Sequence, residues 1–328
     1  MRVLVTGATG FIGGGVARRL ARDGHDVRAL ARASADVHSL EAAGIDVVRG
    51  DVRDVESVAV AMSGCSHVIH LAAAKSGARS RLHEVNVRGT ANVIDAAREA
   101  GIQRVVYGST LGVHGFVTSP PVDERSPIRP NTPYRLTKWR GEEVARAAHA
   151  RTGVPVVIAR ISSVVGCGAR GWLPLAQGIA AGRMRLVGDG ANSIDLVPLD
   201  DLVDGLVRCA VVPSIEGRHY VLGAGTPSTV AGFTAAIANA LGMPAPRAGL
   251  PAMPFRVVQR AAELVFRYTE YTPSFVHGRE MLVADKRATS ERARAELGYA
   301  PRGSVGDAVR AMVECFVAAG QIPRAGRA

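Results

Sequence analysis

The chain has 328 residues, of which 47% are hydrophobic and 5% are aromatic. This length allows one large domain or two closely packed ones, and the hydrophobic content excludes a disordered chain. The 40 Lys and Arg residues outnumber the 29 Asp and Glu residues, which gives a formal net charge of +11. The arginines are spread along the chain and no basic run is interleaved with aromatic residues, so we expect no nucleic-acid partner.

Short apolar runs alternate with amphipathic segments through the first half of the chain. The runs predict strands and the amphipathic segments predict helices. The predicted strands are 2–7, 26–32, 45–51, 67–73, 104–110 and 155–162, and the predicted helices are 12–23, 54–63, 84–100 and 135–152. This alternation predicts an α/β fold in which a doubly wound parallel sheet of the Rossmann type carries helices on both faces.

The pattern loosens after about residue 167, where loops rich in Gly and Pro begin. We therefore predict a dinucleotide-binding domain over 1–167, with its last strands contributed by roughly 196–222 (Leu196–Val197 and His219–Leu222). Residues 168–328 are predicted to form most of a smaller C-terminal α/β domain that binds substrate. Within it, 253–267 carries apolar residues at helical spacing with arginines between them. This segment is a core face, a lid over the active site or a membrane-surface helix.

The four cysteines lie far apart and form no C-x-x-C pair. We expect small buried thiols in a reducing compartment, with neither a disulfide framework nor a metal site. The sequence opens directly into "MRVLVTG" without a signal-peptide pattern, and no apolar run is long enough to cross a bilayer. A cytoplasmic protein without membrane insertion is the resulting expectation.

The stretch "VLVTGATGFIGG" places Gly7, Gly10 and Gly13 between a predicted strand and a predicted helix. Glycines at this spacing permit a tight turn and let the backbone approach a pyrophosphate, while the helix N-terminus supplies N–H donors. The strand–turn–helix context makes this a predicted dinucleotide site.

The end of the second strand bears on the choice of cofactor. An NAD site places an acidic residue there to bind the ribose hydroxyls, but this chain has Ala31 followed by Arg32. Arginine binds a 2′-phosphate with bidentate geometry. We therefore favour NADP(H), with NAD(H) as the alternative. Asp51 and Val52 end the third strand, where an adenine ring would lie, and Asp54 is a candidate N-cap of the next helix.

The stretch "YRLTK" spaces Tyr134 and Lys138 by about one helical turn. Lysine is rare in this chain, because only Lys75, Lys138 and Lys286 occur and every other basic residue is arginine. The few lysines are expected at positions where a guanidinium cannot act. A ketone that accepts a hydride needs a proton on oxygen, and a lysine ammonium beside a tyrosine favours the phenolate and lowers the tyrosine pKa.

Seven stretches in this order resemble the extended short-chain dehydrogenase/reductase family, also called the NAD-dependent epimerase/dehydratase family. They are "TGATGFIG" (6–13), "GDVRD" (50–54), "HLAAAK" (70–75), "NVRGTANV" (86–93), "VVYGSTLGVHG" (105–115), "YRLTK" (134–138) and "ELGYAPR" (296–302). The pattern is most similar to the 3β-hydroxysteroid dehydrogenase and dihydroflavonol-reductase-like branch.

The resemblance implies Tyr134, Lys138 and Thr110 as the catalytic set, with Ser109 as the weaker alternative to Thr110. His114 stands where the family usually has tyrosine, and we interpret it as structural. The resemblance also implies a homodimer. The cofactor contacts implied by the resemblance and by the glycine loop are Gly7, Thr9, Gly10, Phe11, Ile12, Gly13, Arg32, Asp51, Val52, Leu71, Ala72, Ala73, Lys75, Asn86, Ser109, Tyr134, Lys138 and Ile161.

Residues in the second half of the chain bear on which of the two activities implied by the resemblance is expected. Members that act on nucleotide sugars tend to carry an arginine where this chain has Ile194 and an asparagine where it has Ser163. Arg183, Arg185 or Arg218 could compensate for the lost arginine. The leading hypothesis is an NADP(H)-dependent oxidoreductase that interconverts a ketone and a secondary alcohol on a mainly apolar small molecule. The alternative is a nucleotide-sugar epimerase or dehydratase with tightly bound NAD.

Overall fold

The first half of the chain forms the strands and helices that the sequence predicts, with small differences at their ends. The computed structural model describes residues 1–115, 121–251, 253–255, 257, 261, 271–272 and 284–323. The elements of this half are β1 (Arg2–Thr6), α1 (Phe11–Arg22), β2 (Asp26–Ala31), α2 (His38–Glu41), β3 (Asp46–Arg49), α3 (Val55–Met62), β4 (His67–His70), β5 (Gly77–Ala78), α4 (Arg79–His83), a π-helix (Glu84–Arg88), α5 (Gly89–Glu99), β6 (Arg104–Thr110), a 3₁₀-helix (Leu111–His114), α6 (Pro133–Thr152) and β7 (Val156–Ile161).

The second half has shorter strands and more irregular connections. Its elements are β8 (Ser163–Val165), a 3₁₀-helix (Arg170–Trp172), α7 (Leu173–Ala180), β9 (Leu186–Val187), β10 (Ser193–Ile194), β11 (Leu196–Pro198), α8 (Leu199–Val211), β12 (His219–Leu222), β13 (Ser228–Thr229), α9 (Val230–Ala240), β14 (Ala248–Leu250), β15 (Tyr271–Thr272), α10 (Glu291–Leu297) and α11 (Val305–Ala318). No helix among the described residues is both long and apolar enough to cross a membrane.

Seven parallel strands make the main sheet, in the order β12-β7-β6-β4-β1-β2-β3. The chain builds outward from β1 to β3 on one side and then from β4 to β12 on the other. The order therefore reverses between β1 and β4, and in such sheets ligands bind at the carboxyl ends of the strands beside that reversal. The predicted doubly wound sheet is confirmed.

Helices cover both faces of this sheet. Val3 and Val5 belong to a core that includes residues of α1, α8 and α10, whereas Leu4 belongs to a core that includes residues of α3, α5 and α6. Successive side chains of a strand point to opposite faces, so β1 contributes to both cores. Each fully buried Val or Leu stabilises the fold by about 1.5–3 kcal/mol.

A third core joins elements of the second half, including α7, α9 and α11. Leu196–Val197 was predicted to join the main sheet, but the strand Leu196–Pro198 pairs instead with Ser163–Val165 in a separate two-stranded ladder. Ser162 separates β7 from β8; its amide donates to the Leu222 carbonyl of β12, and its hydroxyl donates to the Asp195 carbonyl beside β11. His219–Leu222 does join the main sheet. The predicted helix over 253–267 lies mostly outside the described residues.

Two of the four cysteines form a disulfide, which corrects the expectation of free thiols. Cys167 and Cys315 are bonded, with their Cα atoms 5.6 Å apart, whereas Cys65 and Cys209 are free and buried. The bond joins the loop after β8 to α11, which packs against β8. The pair is 148 residues apart in sequence, so cysteine spacing carried no signal for it.

Candidate functional site

The loop from Gly7 to Gly10 forms a cradle of backbone at the carboxyl end of β1. Gly7 has a φ of +74°, and a Cβ there would lie 2.7 Å from the Ala72 nitrogen. A Cβ on Gly13 would overlap the Gly7 carbonyl oxygen. Gly10 caps α1 without a side chain, and the first turn holds no acidic residue. The N-terminal amides of α1 therefore point into a site that fits a pyrophosphate.

The residues next to the cradle connect it to the loop after β8. Thr9 and Gly10 are exposed on the loop, and Phe11 and Ile12 begin α1 partly buried. The Phe11 ring lies below the loop after β8, where a Cβ on Gly168 would be 3.2 Å from it. The cradle is thus bordered by the loop that carries Cys167.

Positive side chains gather at the end of β2, where a cofactor's adenosine ribose would lie. Arg32 is exposed and follows the buried Ala31. The Arg49 guanidinium donates to the carbonyls of Arg32, at 3.1 Å, and Ala35, at 2.8 Å, so it holds the turn that presents Arg32. The Asp51 carboxylate, just after β3, accepts two bonds from the Arg53 guanidinium.

Those two bonds measure 2.9 Å and 3.1 Å, and the Arg53 hydrogen bond is the main reason that the pKa of Asp51 is lowered. The adjacent Val52 is buried, and its carbonyl accepts a bond from Asn92. Asp54 is the N-cap of α3, as the sequence suggested, and accepts from the Glu56 amide.

The strand β4 leads into the segment Leu71–Lys75, which borders the cleft. The Leu71 amide donates to the Thr6 carbonyl, and the Ala72 amide donates to the Thr6 hydroxyl. Ala73 and Lys75 are exposed. Lys75 lies close enough to Lys138 for its charge to lower the pKa of Lys138.

Asn86 connects this segment to the catalytic helix. It is fully buried in the π-helix, where its side chain exchanges two 2.8 Å bonds with the Ala74 backbone and donates to the Thr137 hydroxyl at 2.9 Å. The Thr137 hydroxyl donates in turn to the Tyr134 carbonyl. Asn86 therefore fixes the start of α6 relative to the segment after β4.

Tyr134 and Lys138 stand one turn apart near the start of α6. Thr132 caps this helix by accepting from the Arg135 amide, and Pro133 occupies its first position. Lys138 is 2% exposed, and its ammonium lies 4.2 Å from the centroid of the Tyr107 ring. The Tyr107 hydroxyl donates to the Lys138 carbonyl. Strand β6 therefore supports the catalytic helix through one aromatic residue.

Thr110 and Ser109 point in different directions at the end of β6. Thr110 is partly exposed, and its hydroxyl accepts from the Gly112 amide at 3.1 Å. Ser109 is 4% exposed, and its hydroxyl donates to the Glu142 carboxylate at 2.6 Å. The geometry therefore favours Thr110 over Ser109 as the hydroxyl that faces substrate. Ile161, at the end of the neighbouring β7, is 9% exposed.

Burial dominates the protonation of Tyr134 and Lys138. It raises the pKa of the Tyr134 phenol to about 12, and Arg135 opposes the rise. It also lowers the pKa of Lys138 to about 7. The expectation that Lys138 lowers the tyrosine pKa is therefore not met in the protein alone. The physical reason is that desolvation disfavours the charged form of both groups.

His114 is a structural residue in this arrangement, as interpreted from the sequence. It is 3% exposed, its Nδ1 lies 3.1 Å from the Pro127 carbonyl oxygen, and its Nε2 lies 3.2 Å from an Arg160 nitrogen. A carbonyl only accepts and a guanidinium only donates, so Nδ1 carries the proton and Nε2 accepts. Burial lowers the pKa of His114, which keeps the ring neutral.

Three side chains of the second half, Ile194, Trp172 and Arg218, are packed in the core or paired with another side chain. Ile194 is 1% exposed and belongs to the third core. The Trp172 indole donates to the Val164 carbonyl and packs edge-on against Phe233, so it is a core residue. Arg218 is committed to an ion pair with Glu296 at 2.8 Å.

Sequence reasoning missed Arg49, Arg53, Tyr107, Glu142 and Arg160. Glu142 had a detectable signal, because it follows Lys138 at the same four-residue spacing that separates Lys138 from Tyr134. Arg49, Tyr107 and Arg160 act across contacts between distant segments, which spacing does not encode, and Arg53 acts within one loop on Asp51. Among the described residues, no group of three or more His, Cys, Asp or Glu side chains is arranged to hold a metal ion.

Comparison with known proteins agrees with this geometry. The NAD dependent epimerase/dehydratase family matches residues 3–223. Sterol demethylase protein B of Methylococcus capsulatus is 32% identical over 326 residues, covering 94% of this chain and 97% of the relative. The 2-alkyl-3-oxoalkanoate reductase of Stenotrophomonas maltophilia is 31% identical, covering 94% and 98%. The UDP-glucose 4-epimerase of Mycolicibacterium smegmatis is 32% identical, covering 74% and 84%.

A solved structure extends the likeness to the whole fold. The crystal structure of gox2253 superposes with a TM-score of 0.83 at 26% identity, covering 98% of this chain and 99% of the other. Both halves of the chain are therefore shared with relatives. The chain belongs to the NAD-dependent epimerase/dehydratase family, the extended short-chain dehydrogenases/reductases, and is an enzyme of this kind acting on CH–OH and C=O groups.

Proposed function

We propose that this enzyme is an NADP(H)-dependent oxidoreductase that interconverts a ketone and a secondary alcohol on a mainly apolar small molecule. The observation that carries the proposal is the grouping of Tyr134, Lys138 and Thr110 at the carboxyl edge of the sheet. Tyr134 and Lys138 share one face of α6, and Thr110 ends β6, the strand whose Tyr107 holds Lys138.

When bound, the nicotinamide supplies or accepts the hydride. Tyr134 supplies the proton to the substrate oxygen during reduction. Because burial raises its pKa to about 12, the phenol is protonated at neutral pH and is ready to act as an acid. Its position in the first turn of α6 places the helix dipole where it stabilises the phenolate that forms. The partly exposed Thr110 hydroxyl holds the substrate oxygen in line with Tyr134.

The cradle and the arginines around β2 support NADP(H) as the cofactor. The glycine loop fits a pyrophosphate, and Arg32 and Arg49 place positive charge where a 2′-phosphate would lie. The position at the end of β2 that would carry an acidic residue in an NAD site is Ala31, and Arg32 follows it. Lys138 is placed to hold the nicotinamide ribose hydroxyls.

Two residues of the second half support an apolar substrate. The buried Ile194 offers no charge to a nucleotide diphosphate, and Arg218 already pairs with Glu296. The name of one relative, a 2-alkyl-3-oxoalkanoate reductase, indicates a ketone on an alkyl chain. Arg183 and Arg185 are exposed beside β9, so a nucleotide sugar is the alternative that the experiments must address.

Tyr134→Phe tests the reaction. We expect it to lower the rate of NADPH oxidation with an accepted ketone by about 10²–10⁴-fold, because general acid catalysis contributes about that much. Tyr220→Phe is the matched control, since it removes a buried hydroxyl that donates to Glu296 away from the cleft. Full activity of Tyr134→Phe would refute the assignment.

Denaturing the purified protein and identifying any released dinucleotide tests the alternative. Stoichiometric NAD⁺ would favour a nucleotide-sugar epimerase, because such enzymes reoxidise their own cofactor and retain it. Protein that releases no dinucleotide, and that binds NADPH in preference to NADH, would favour the reductase.

We also propose that residues 1–167 bind the dinucleotide and that 168–328 bind mostly substrate. A homodimer through the face formed by α4, α5 and α6 is proposed from the family resemblance, and sedimentation or light scattering measures it. That face carries a groove lined by His83, Val87, Leu136 and Val144. A cytoplasmic location likewise stays a proposal.

A further inference from the structure

A buried ionic cluster lies directly behind the catalytic pair. Glu142 follows Lys138 by four residues on α6, so Tyr134, Lys138 and Glu142 share one face of the helix. The Glu142 side chain is completely buried. Burying a carboxylate is costly unless it is paired, so its charge must serve the structure or the chemistry around it.

Three side chains hold Glu142 in its ionised form. Arg160 of β7 donates to both of its oxygens, at 3.2 Å and 2.9 Å, and Arg146 lies 2.8 Å away on the next turn of α6. The Ser109 hydroxyl donates at 2.6 Å. These contacts outweigh desolvation, and the pKa of Glu142 is lowered. The carboxylate is therefore a fixed negative charge near Lys138.

Lys138 needs such a charge. It is 2% exposed, and burial lowers its pKa to about 7, with the charge of Lys75 acting in the same direction. The proposed function requires an ammonium there, because only the charged form favours the phenolate on Tyr134. This pKa already includes the opposing effect of the Glu142 charge, so without the carboxylate the pKa of Lys138 would lie lower still.

We propose that Glu142 is the counter-ion of Lys138, a positioning residue that keeps the lysine charged beside Tyr134 without touching substrate or cofactor. The inference rests on the proposed function, because it concerns the same catalytic pair. It adds a fourth side chain to that pair and explains why a carboxylate is buried one turn behind it.

The other groups that face Lys138 cannot take this role. The titratable ones among the described residues are Tyr134 and Glu142 of α6, Tyr107 of β6, His70 of β4 and Lys75 after β4. Burial raises the pKa of both tyrosines and lowers that of His70 to about 3, so these three are neutral near pH 7. Of the described groups, Glu142 is the one that raises the pKa of Lys138.

Arg160 and Arg146 pair with Glu142 and offset part of its charge, whereas the two histidines that face it do not. His114 and His219 are neutral near pH 7, because burial lowers the pKa of both, to about 4 for His219. Arg146 stands two helical turns from Lys138, about 12 Å along the axis, and its side chain is 31% exposed. The Arg146 guanidinium is partly exposed, so water screens its charge more than it screens the charge of the buried carboxylate.

The lysine content of the chain allows a direct measurement. With only three lysines in the sequence, a protein labelled with ¹³C at lysine Cε gives three signals. Lys75→Arg and Lys286→Arg assign them. The midpoint of the Lys138 signal, followed against pH, reports its pKa without cofactor or substrate.

Two substitutions should shift this midpoint in opposite directions. Glu142→Gln removes the negative charge, so we expect the midpoint to fall by about one pH unit. Arg146→Gln removes a positive charge that offsets Glu142, so we expect a rise of about a few tenths of a unit. Glu143→Gln, which alters a surface pair with Arg140 on the same helix, is the control and should not shift it.

Glu142→Asp keeps the charge and should restore most of the lysine midpoint, which a purely structural role would not predict. In ketone reduction, the alkaline limb of the kcat profile should move in the same order as the midpoints. A Lys138 midpoint or an alkaline limb that stays in place in Glu142→Gln would overturn the inference. If Glu142→Gln does not fold, Arg146→Gln decides alone, and no upward shift would overturn it. Loss of the proposed function is recognised separately, by full activity of Tyr134→Phe.

Discussion

Arg32→Ala should convert a protein that prefers NADP⁺ into one that binds NADP⁺ and NAD⁺ more equally. Arg32 is exposed at the end of β2, and its turn is held by two bonds from Arg49 to the carbonyls of Arg32 and Ala35. Asp51, whose pKa the charge of Arg32 helps to lower, is engaged by Arg53. Arg32 is therefore a preordered positive charge beside the expected 2′-phosphate.

The magnitude follows from the type of contact. A hydrogen bond to a charged group contributes about 1.5–3 kcal/mol. Because Arg32 is exposed and water screens it, we expect the lower end, about 1.5 kcal/mol, which corresponds to about a tenfold weaker Kd. NAD⁺ has no 2′-phosphate and should lose almost nothing.

Isothermal titration of the purified protein with each dinucleotide measures this without catalysis. Arg22→Ala is the matched control, because Arg22 lies in the last turn of the same α1 whose N-terminus forms the cradle. Added salt should weaken NADP⁺ binding more in the wild type than in Arg32→Ala, since the lost contact is electrostatic. Equal losses for NADP⁺ and NAD⁺, or no loss for either, would refute the assignment of Arg32.

Two further predictions concern stability. Cys167→Ser should lower the free energy of unfolding in urea by about 2–4 kcal/mol, because the Cys167–Cys315 bond restricts a long loop of the unfolded chain; a reducing agent should lower the wild type to the same value, and the buried free Cys65 offers a Cys65→Ser control. Burial lowers the pKa of His70 from 6.5 to about 3. Below pH 6.5 the His70 imidazole therefore binds a proton in the unfolded chain but stays neutral in the folded protein. The free energy of unfolding should therefore fall as the pH drops from about 6.5 towards 3, with a loss of about 2 kcal/mol by pH 5. His70→Gln should remove this part of the pH dependence. Identical slopes of unfolding free energy against pH in the wild type and in His70→Gln would contradict the prediction.

The sequence predicted the elements whose signals are local. The alternation of apolar runs located six of the seven main strands to within two or three residues, and His219–Leu222 was predicted as the seventh. The glycine loop and the Tyr134–Lys138 pair were also predictable, because each depends on spacing within one turn or one helix. In these cases the backbone geometry of a short segment determines the outcome.

Contacts between distant segments were not predictable. The Cys167–Cys315 bond, the pairing of β11 with β8 and the bonds from Arg49 to the Arg32 turn each need the tertiary fold to bring their partners together. The prediction that the pKa of Tyr134 is lowered failed for a related reason. The sequence shows that a lysine is near, but burial depends on every neighbouring segment, and burial raises the tyrosine pKa.

The choice between Thr110 and Ser109 as the hydroxyl for the substrate depends on the structure, because the sequence alone does not separate them. Counting along a motif places one hydroxyl at the end of β6 but cannot separate two adjacent ones. Because neighbouring residues of a strand point to opposite sides, only one of them can face the cleft. Ser109 points to Glu142, so it stabilises the anion that we place behind Lys138, and Thr110 is left for the substrate. The end of β6 therefore contributes two hydroxyls to the site. Ser109 bonds to the carboxylate that we propose as the counter-ion of Lys138, and the next residue, Thr110, is the hydroxyl that we propose for the substrate.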